Sequence, residues 1–364
     1  MDKEKAIYYL EHSFISGLLS NEDVTDISYN GENFYYVSNK YGRKKSDIHV
    51  DHQSVKDFVR QIANLGEKQF SFLNPVLDMS IGKYRINATH QSIGKINDDN
   101  VVTFSIRIAS VKPKITDNSD FFNKEIVNLL KLLIKNRQSI VIGGITGSGK
   151  TELQKYLLRN MPNNERIIVI DNVLELDSVR YENDIDLTCW QVDENNSNTH
   201  PALLIKNALR NNPDWLIVAE ARDKEMVDVL NSAMTGMPLI TTIHSYDAQS
   251  IPNRMARLVL RSEQKMNYDD VLKDIFYHFH FFIYLKKDDS KKVIKRYVSE
   301  ICFYDDLGNC SYLYKKDKEE HYFFPFPKTL YRYIPDYKEI NKWKTFFQYF
   351  WLSLSYAQLS HMLH

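Results

Sequence analysis

Gly144-Ile145-Thr146-Gly147-Ser148-Gly149-Lys150-Thr151 is the stretch on which the fold turns. It is a complete G-x4-G-K-[ST] pattern, and its flanks are those the pattern requires. The run Ser139–Ile142 before it reads as a buried strand. Leu153, Leu157 and Leu158 after it fall at helical spacing. Glycines let main-chain N–H groups turn inward around phosphate oxygens, and the following helix offers its positive end to the same anion. Lys150 is expected to reach the β- and γ-phosphates, and the Thr151 hydroxyl to ligate Mg²⁺. The eight residues 144–151 are therefore expected to cradle ATP with Mg²⁺.

Working outward, apolar runs at Arg166–Asp171, Trp215–Ala219 and Leu239–Ile243 alternate with helical spacings. That alternation implies an α/β fold with a mainly parallel sheet covered on both faces. The runs are closed by Asp171, Glu220 and His244, and parallel strands deliver those ends to one edge. Trp215-Leu-Ile-Val-Ala-Glu220-Ala-Arg222 has the layout of a Walker B strand. Glu220 is expected to hold the metal's water shell or to orient the attacking water. Asp171-Asn172-Val-Leu-Glu175-Leu-Asp177 is a second acidic cluster, which by itself reads as a solvated turn. His244, ending Leu239-Ile-Thr-Thr-Ile, reads either as a hydrogen-bonded core residue or as a donor to the γ-phosphate.

The rest of the chain frames this segment. Residues 1–110 mix a short helical start with β-type runs. Asn33–Ser38 followed by Lys40-Tyr-Gly-Arg predicts a hairpin. Val55, Phe58, Val59, Ile62 and Leu65 predict a helix over Ser54–Leu65. Tyr84–Ala88 and Val101–Ile108 alternate about a polar loop and predict an antiparallel pair. The polar, aperiodic stretch 111–120 reads as a linker into an ATPase domain over 121–303. Residues 304–364 read as an aromatic-rich C-terminal extension, with one helix expected over Asn341–Leu359. That helix would either pack on its own domain or dock on a membrane or partner.

Composition sets limits. The chain has 364 residues, 43% of them apolar, enough for two domains. Lys plus Arg and Asp plus Glu are both 47, so net charge gives no reason to expect nucleic-acid binding. Cys189, Cys302 and Cys310 have no zinc-ligand spacing and suit a reducing compartment. The charged start MDKEKAIYYLEHSF lacks a signal-peptide apolar region, and no run of 18 apolar residues predicts a bilayer span.

The order of these motifs resembles the type II/type IV secretion ATPase superfamily, nearest to traffic ATPases of type IV secretion, conjugation and tight-adherence pilus systems. Arg210-Asn-Asn-Pro213-Asp214 leading to Glu220 and Arg222 carries the likeness, as does Thr235-Gly236 leading to Thr241-Thr-Ile-His244. Arg85-Ile-Asn-Ala88 and Ser105-Ile-Arg107 match two N-terminal arginine motifs of the family. The resemblance implies an N-terminal α+β domain followed by a RecA-like P-loop domain. It also implies that Arg85 and Arg107 bind nucleotide phosphates. The catalytic set it implies is Lys150, Glu175, Glu220, Arg222, His244 and Arg107, with Thr151 and Glu220 toward the metal. The sequence departs from the family at Glu152 and Met237, where Thr and His are usual, at Ala219, usually Gly, and at Asp171-Asn172, usually Glu-Asp.

The implied function is a cytoplasmic ATP-driven motor, a homo-oligomer built as a hexameric ring. It would serve membrane-embedded secretion or conjugation machinery, at or near the inner face of the cell membrane, without sequence-specific nucleic-acid binding. A pilus-assembly motor and a nucleotide-binding scaffold with weak turnover are the alternatives.

Overall fold

The computed structural model describes residues 3–109, 113–181, 184–192, 199–223, 225–262, 266–317 and 319–336. These form two units. The first comprises residues 1–114 with 288–295, and the second comprises 115–287 with 296–364.

In the first unit, helices α1 (Lys3–Glu11), α2 (Ser16–Leu19) and α3 (His52–Leu65) accompany strands β1 (Val24–Tyr29), β2 (Phe34–Ser38), β3 (Gly42–Lys45), β4 (Val76–Ile81), β5 (Tyr84–Thr89) and β8 (Thr103–Ile108). The short pair β6 (Lys95–Ile96) and β7 (Asp99–Asn100) closes the loop between β5 and β8. The six longer strands make one sheet in the order β3-β2-β1-β8-β5-β4, with every neighbouring pair antiparallel. Helix α3 starts at His52, ahead of the predicted Ser54, because the Asp51 carboxylate accepts the Ser54 amide at 2.9 Å and caps it. Its Val55, Phe58, Val59 and Ile62 share a core with Leu77, Met79, Ile86, Phe104 and Ile106 of the sheet. Strand alternation then sends Arg85 and Arg107 to the opposite face.

The second unit is built on α4 (Lys124–Lys135), β9 (Ile140–Gly144), α5 (Lys150–Arg159), β10 (Arg166–Asp171), β11 (Asp186–Gln191), α6 (Pro201–Leu209), β12 (Trp215–Val218), α7 (Met226–Ala233) and β13 (Leu239–Ile243). It continues through α8 (Ile251–Val259), α9 (Tyr268–His278), β14 (Phe281–Asp288), β15 (Lys295–Tyr304), β16 (Cys310–Asp317) and β17 (Glu320–Phe323). One sheet takes the order β11-β10-β12-β13-β9-β14-β15-β16-β17. The pairs from β11 to β14 are parallel, and β15-β16-β17 pair antiparallel. Alternate residues of each strand feed two separate cores. Ile140, Ile142, Ile167, Val169 and Ile217 face one, while Val141, Ile168, Ile170, Leu216 and Val218 face the other. Burial on both faces explains why these strands read as unbroken apolar runs.

Two sequence boundaries move. From Ile115 onward the expected linker packs on the second unit: Ile115 is buried, and the Asp117 carboxylate accepts the Tyr156 hydroxyl at 2.7 Å. The boundary expected at 303/304 falls at the end of a strand whose sheet continues. Strands β16 and β17 extend that sheet, and Leu330 and Ile334 are buried in the core beneath it. Backbone pairing with β16 covers the outer edge of β15, so residues 304–336 are part of the domain. The helix expected over Asn341–Leu359 lies outside the described residues.

The Pro213-Asp214 motif proves to be a foundation for β12. The Asp214 carboxylate accepts the Arg166 amide at 2.9 Å and the Arg137 guanidinium at 3.1 Å. Arg137 also donates to Glu165, whose other oxygen accepts the indole N–H of the fully buried Trp215 at 2.6 Å. Glu165→Ala leaves that indole donor buried without a partner. We expect it to cost about 2–3 kcal/mol, a fall of roughly 4–12 °C in Tm. Thermal unfolding checks this, and an unchanged Tm would remove Glu165 from the foundation.

Candidate active site

The parallel order puts the carboxyl ends of β9, β10, β12 and β13 on one edge of the sheet. The phosphate loop leaves β9 there, and Gly149, at φ +102°, caps α5 in a backbone conformation that disfavours a side chain. Lys150 opens the helix. Its ammonium donates to the Gly144 carbonyl at 2.9 Å and the Ile145 carbonyl at 3.2 Å. Burial pushes the Lys150 pKa down, with the Glu220 carboxylate pulling it back up and the Arg222 guanidinium adding to the fall. The Ser148 hydroxyl in the same loop is buried and has no hydrogen-bond partner. A desolvated cation on neutral carbonyls and an unpaired hydroxyl fit an anionic ligand such as a triphosphate.

Glu220 follows β12. Its Oε2 accepts the Arg222 guanidinium at 2.7 Å, and its Oε1 lies 3.0 Å from His244 Nε2. Burial alone would raise its pKa. The Arg222 hydrogen bond and charge outweigh that, with His244 and Lys150 adding to the effect, so the carboxyl sits below its ordinary value. The loop beyond is held by Glu225, whose carboxylate accepts the Arg222 amide at 2.7 Å and the Asp223 amide at 3.1 Å. The Thr242 hydroxyl donates to the Ala219 carbonyl at 2.8 Å, tying the end of β12 to β13.

Ser245, the residue after His244, packs close against β9 because Gly143 has no side chain. A Cβ there would lie 2.1 Å from the Ser245 hydroxyl and 2.7 Å from Ile251. Gly143 precedes the phosphate-loop pattern, so motif reading missed it. Its pairing with Ile243 supplies the missing signal.

Asp171 turns out to organise the acidic turn. It is buried, and its carboxylate accepts the amides of Val173 at 3.2 Å and Glu175 at 3.0 Å. Burial raises its pKa against those hydrogen bonds. Leu174 between them holds φ +55°, a left-handed conformation costing a β-substituted residue about 1–2 kcal/mol. The turn delivers Glu175 to the start of a 3-10 helix, Glu175–Tyr181, half-buried beside the same sheet edge. The departure at Glu152 has a structural reason as well. Glu152 lies 3.2 Å from the ammonium of Lys155, which is fully buried in α5.

In the first unit Arg85 and Arg107 sit directly opposite each other on β5 and β8. Like charges in that position repel. Each has its own carboxylate, Arg85 with Asp78 at 3.3 Å and Arg107 with Asp26 at 3.4 Å.

Residues 98–273 match the family of type II/IV secretion system proteins. Over those residues the chain is similar to the type II/type IV secretion ATPase superfamily. An uncharacterized protein of Bacillus anthracis is 30% identical to this chain over 300 residues, 79% of this chain and 66% of that one. The type IV secretion system protein VirB11 of Bartonella quintana is 35% identical over 144 residues, 39% of this chain and 40% of its own length. The conjugal transfer protein TrbB of Rhizobium radiobacter is 32% identical over 142 residues, 38% and 42% of the two chains. The chain thus spans less than half the length of these VirB11 and TrbB relatives. Among solved structures, the Legionella pneumophila ATPase DotB shares the fold with a TM-score of 0.58 at 19% identity, covering 81% of this chain and 80% of that one.

Proposed function

We propose that this chain is an ATP-hydrolysing traffic motor of a type IV secretion or conjugation machine, coupling turnover to movement of its two units. The observation that supports it most is the position of Glu220. This carboxylate is kept ionised by Arg222 and lies within the field of Lys150 at the edge where the phosphate loop begins. That is the equipment for polarising a water beside a held γ-phosphate. Residues 144–151 would hold the triphosphate. Lys150 and Arg222 would offset charge on the transferring phosphoryl group, and His244 would donate to a phosphate oxygen when protonated at Nε2. Thr151 and Glu220 would hold Mg²⁺, which when bound neutralises phosphate charge. Glu175, brought to the same edge by the Asp171 turn, is proposed as a second acid near the water. Arg85 and Arg107, cations facing one another across two strands, are proposed as an anion-binding pair on the first unit.

Supporting observations for the biological setting are of a different kind. The relatives are proteins of type IV secretion and conjugal transfer. Among the described residues no helix is long and apolar enough to cross a membrane. A hexameric ring at the inner face of the membrane is part of the proposal.

Phosphate release from Mg·ATP by the purified chain tests the enzymatic reading. Its pH dependence tests the role of Glu220. The parent should keep its turnover below the ordinary glutamate pKa, because Arg222 holds the carboxyl ionised there. In Arg222→Ala burial is left largely unopposed, so the acid limb of the profile moves to higher pH. The stabilising Glu220–Arg222 contact is present above the unfolded-state carboxyl pKa and is lost as pH falls through the depressed folded value. An acid limb that stays in place would take Glu220 out of the reaction. The scaffold alternative draws on Asn172, which stands where the family usually carries a carboxylate. Nucleotide retention without phosphate release would favour it.

A further inference from the structure

The phosphate loop is braced from outside its own motif. Near the start of β15, Arg296 donates from Nε to the Gly147 carbonyl at 2.7 Å. Gly147 is the apex of the loop. Its φ is +74°, and no atom lies within 4 Å of where its side chain would be, so packing does not hold it. The strand carrying Arg296 is itself fixed. The Val298 amide donates to the Phe121 carbonyl at 3.0 Å, Tyr297 and Val298 are buried, and the Phe121 ring lies 3.1 Å from where a Cβ on Gly149 would sit. Phe121 and Arg296 therefore bracket the loop at Gly149 and Gly147.

The geometry has a consequence for anion binding. In a trans peptide the carbonyl and the next N–H point in opposite directions. Holding the Gly147 oxygen therefore sets the direction of the Ser148 N–H. That N–H makes a long 3.2 Å bond to the Ile145 carbonyl, which also accepts from Lys150. When the Ile145 carbonyl turns away, a phosphate oxygen can take its place before both donors, and the Gly147 peptide keeps its Arg296 bond as this happens. We propose that Arg296 is a positioning residue of the nucleotide site, holding the apex peptide so that the loop's donors are arranged before phosphate arrives. Its contribution falls on nucleotide affinity, and the chemical step is left to Glu220 and Lys150. This rests on the nucleotide-binding reading of residues 144–151.

The test compares parent, Arg296→Ala, Arg296→Lys and Lys150→Ala as full-length chains. It measures KM and kcat for Mg·ATP, equilibrium binding of a fluorescent ADP analogue, and Tm. A hydrogen bond from a charged donor supports an expected rise of about tenfold or more in KM and in the analogue's Kd for Arg296→Ala. Its kcat at saturation should fall less than about threefold, since the lost contact is the same in ground and transition states. Arg296→Lys should recover part of the affinity, because an ammonium on a similar stem still donates to a carbonyl. Unchanged KM and Kd in Arg296→Ala overturn the assignment. So does a fall confined to kcat, or a loss of affinity that tracks a loss of Tm and is not recovered by Lys. If the parent retains nucleotide while Lys150→Ala does not, a null result at Arg296 overturns this inference alone. If the parent retains none, the nucleotide reading fails and takes the inference with it.

Discussion

A Lys150→Ala chain should keep its fold and lose ATP turnover by about 10³-fold or more. The argument starts from where the ammonium sits. Lys150 is buried, donates only to two loop carbonyls in the observed hydrogen bonds, and has its pKa pushed down by that burial. A charge whose folded-state pKa is depressed is a net cost to the folded chain while it is protonated. That cost lifts as pH rises through the depressed value. Removing the charge therefore should not unfold the domain, and Tm should shift by less than about 1 kcal/mol in equivalent terms. A triphosphate replaces neutral carbonyl acceptors with anionic ones, so the same burial that weakens the free cation strengthens its bond to phosphate. Nucleotide retention and phosphate release should both fall while thermal unfolding is unchanged. Equal turnover in parent and variant would falsify the assignment of the loop as the phosphate site.

Glu220→Gln should separate binding from chemistry. Glutamine keeps the length and volume of the side chain and can still accept a hydrogen bond from Arg222, so any rise in the KM for Mg·ATP should be limited to the share of Glu220 in holding Mg²⁺ beside Thr151. It cannot carry the charge that polarises water, so kcat should fall by about 10²–10⁴-fold. Asp171 cannot take over, because both of its oxygens are engaged by the amides that shape the turn, so the turnover that remains would rest on Glu175. Steady-state kinetics decide the matter. If kcat holds and KM rises, Glu220 serves to bind and another group activates the water. If neither moves, the carboxylate is a structural partner of Arg222 and His244.

These two variants also mark how far a linear reading reaches. Lys150 and Glu220 are both visible in the chain because each ends a local pattern, a glycine loop in one case and an apolar strand in the other. Asp171 was equally visible, but its role was not. As a carboxylate after a strand it reads by itself as part of a solvated turn, and only its burial and its bonds to Val173 and Glu175 assign it to holding the turn. Glu152 looked like a defect in the motif until its partner Lys155 was located at the core of α5. Arg296 carries no motif at all, since the carbonyl it holds lies nearly 150 positions earlier in the chain.

The amino-acid sequence by itself determined the phosphate loop, the polar ends of the strands and the change of texture from Asp120 onward. All are encoded over a few residues by glycine conformations and side-chain period. The tertiary structure decided which strand ends share an edge, where the sheet stops, and which polar groups are occupied by partners. Strand order and register bring together residues far apart in the chain. Those choices are made by how two buried faces pack, which no window of sequence contains.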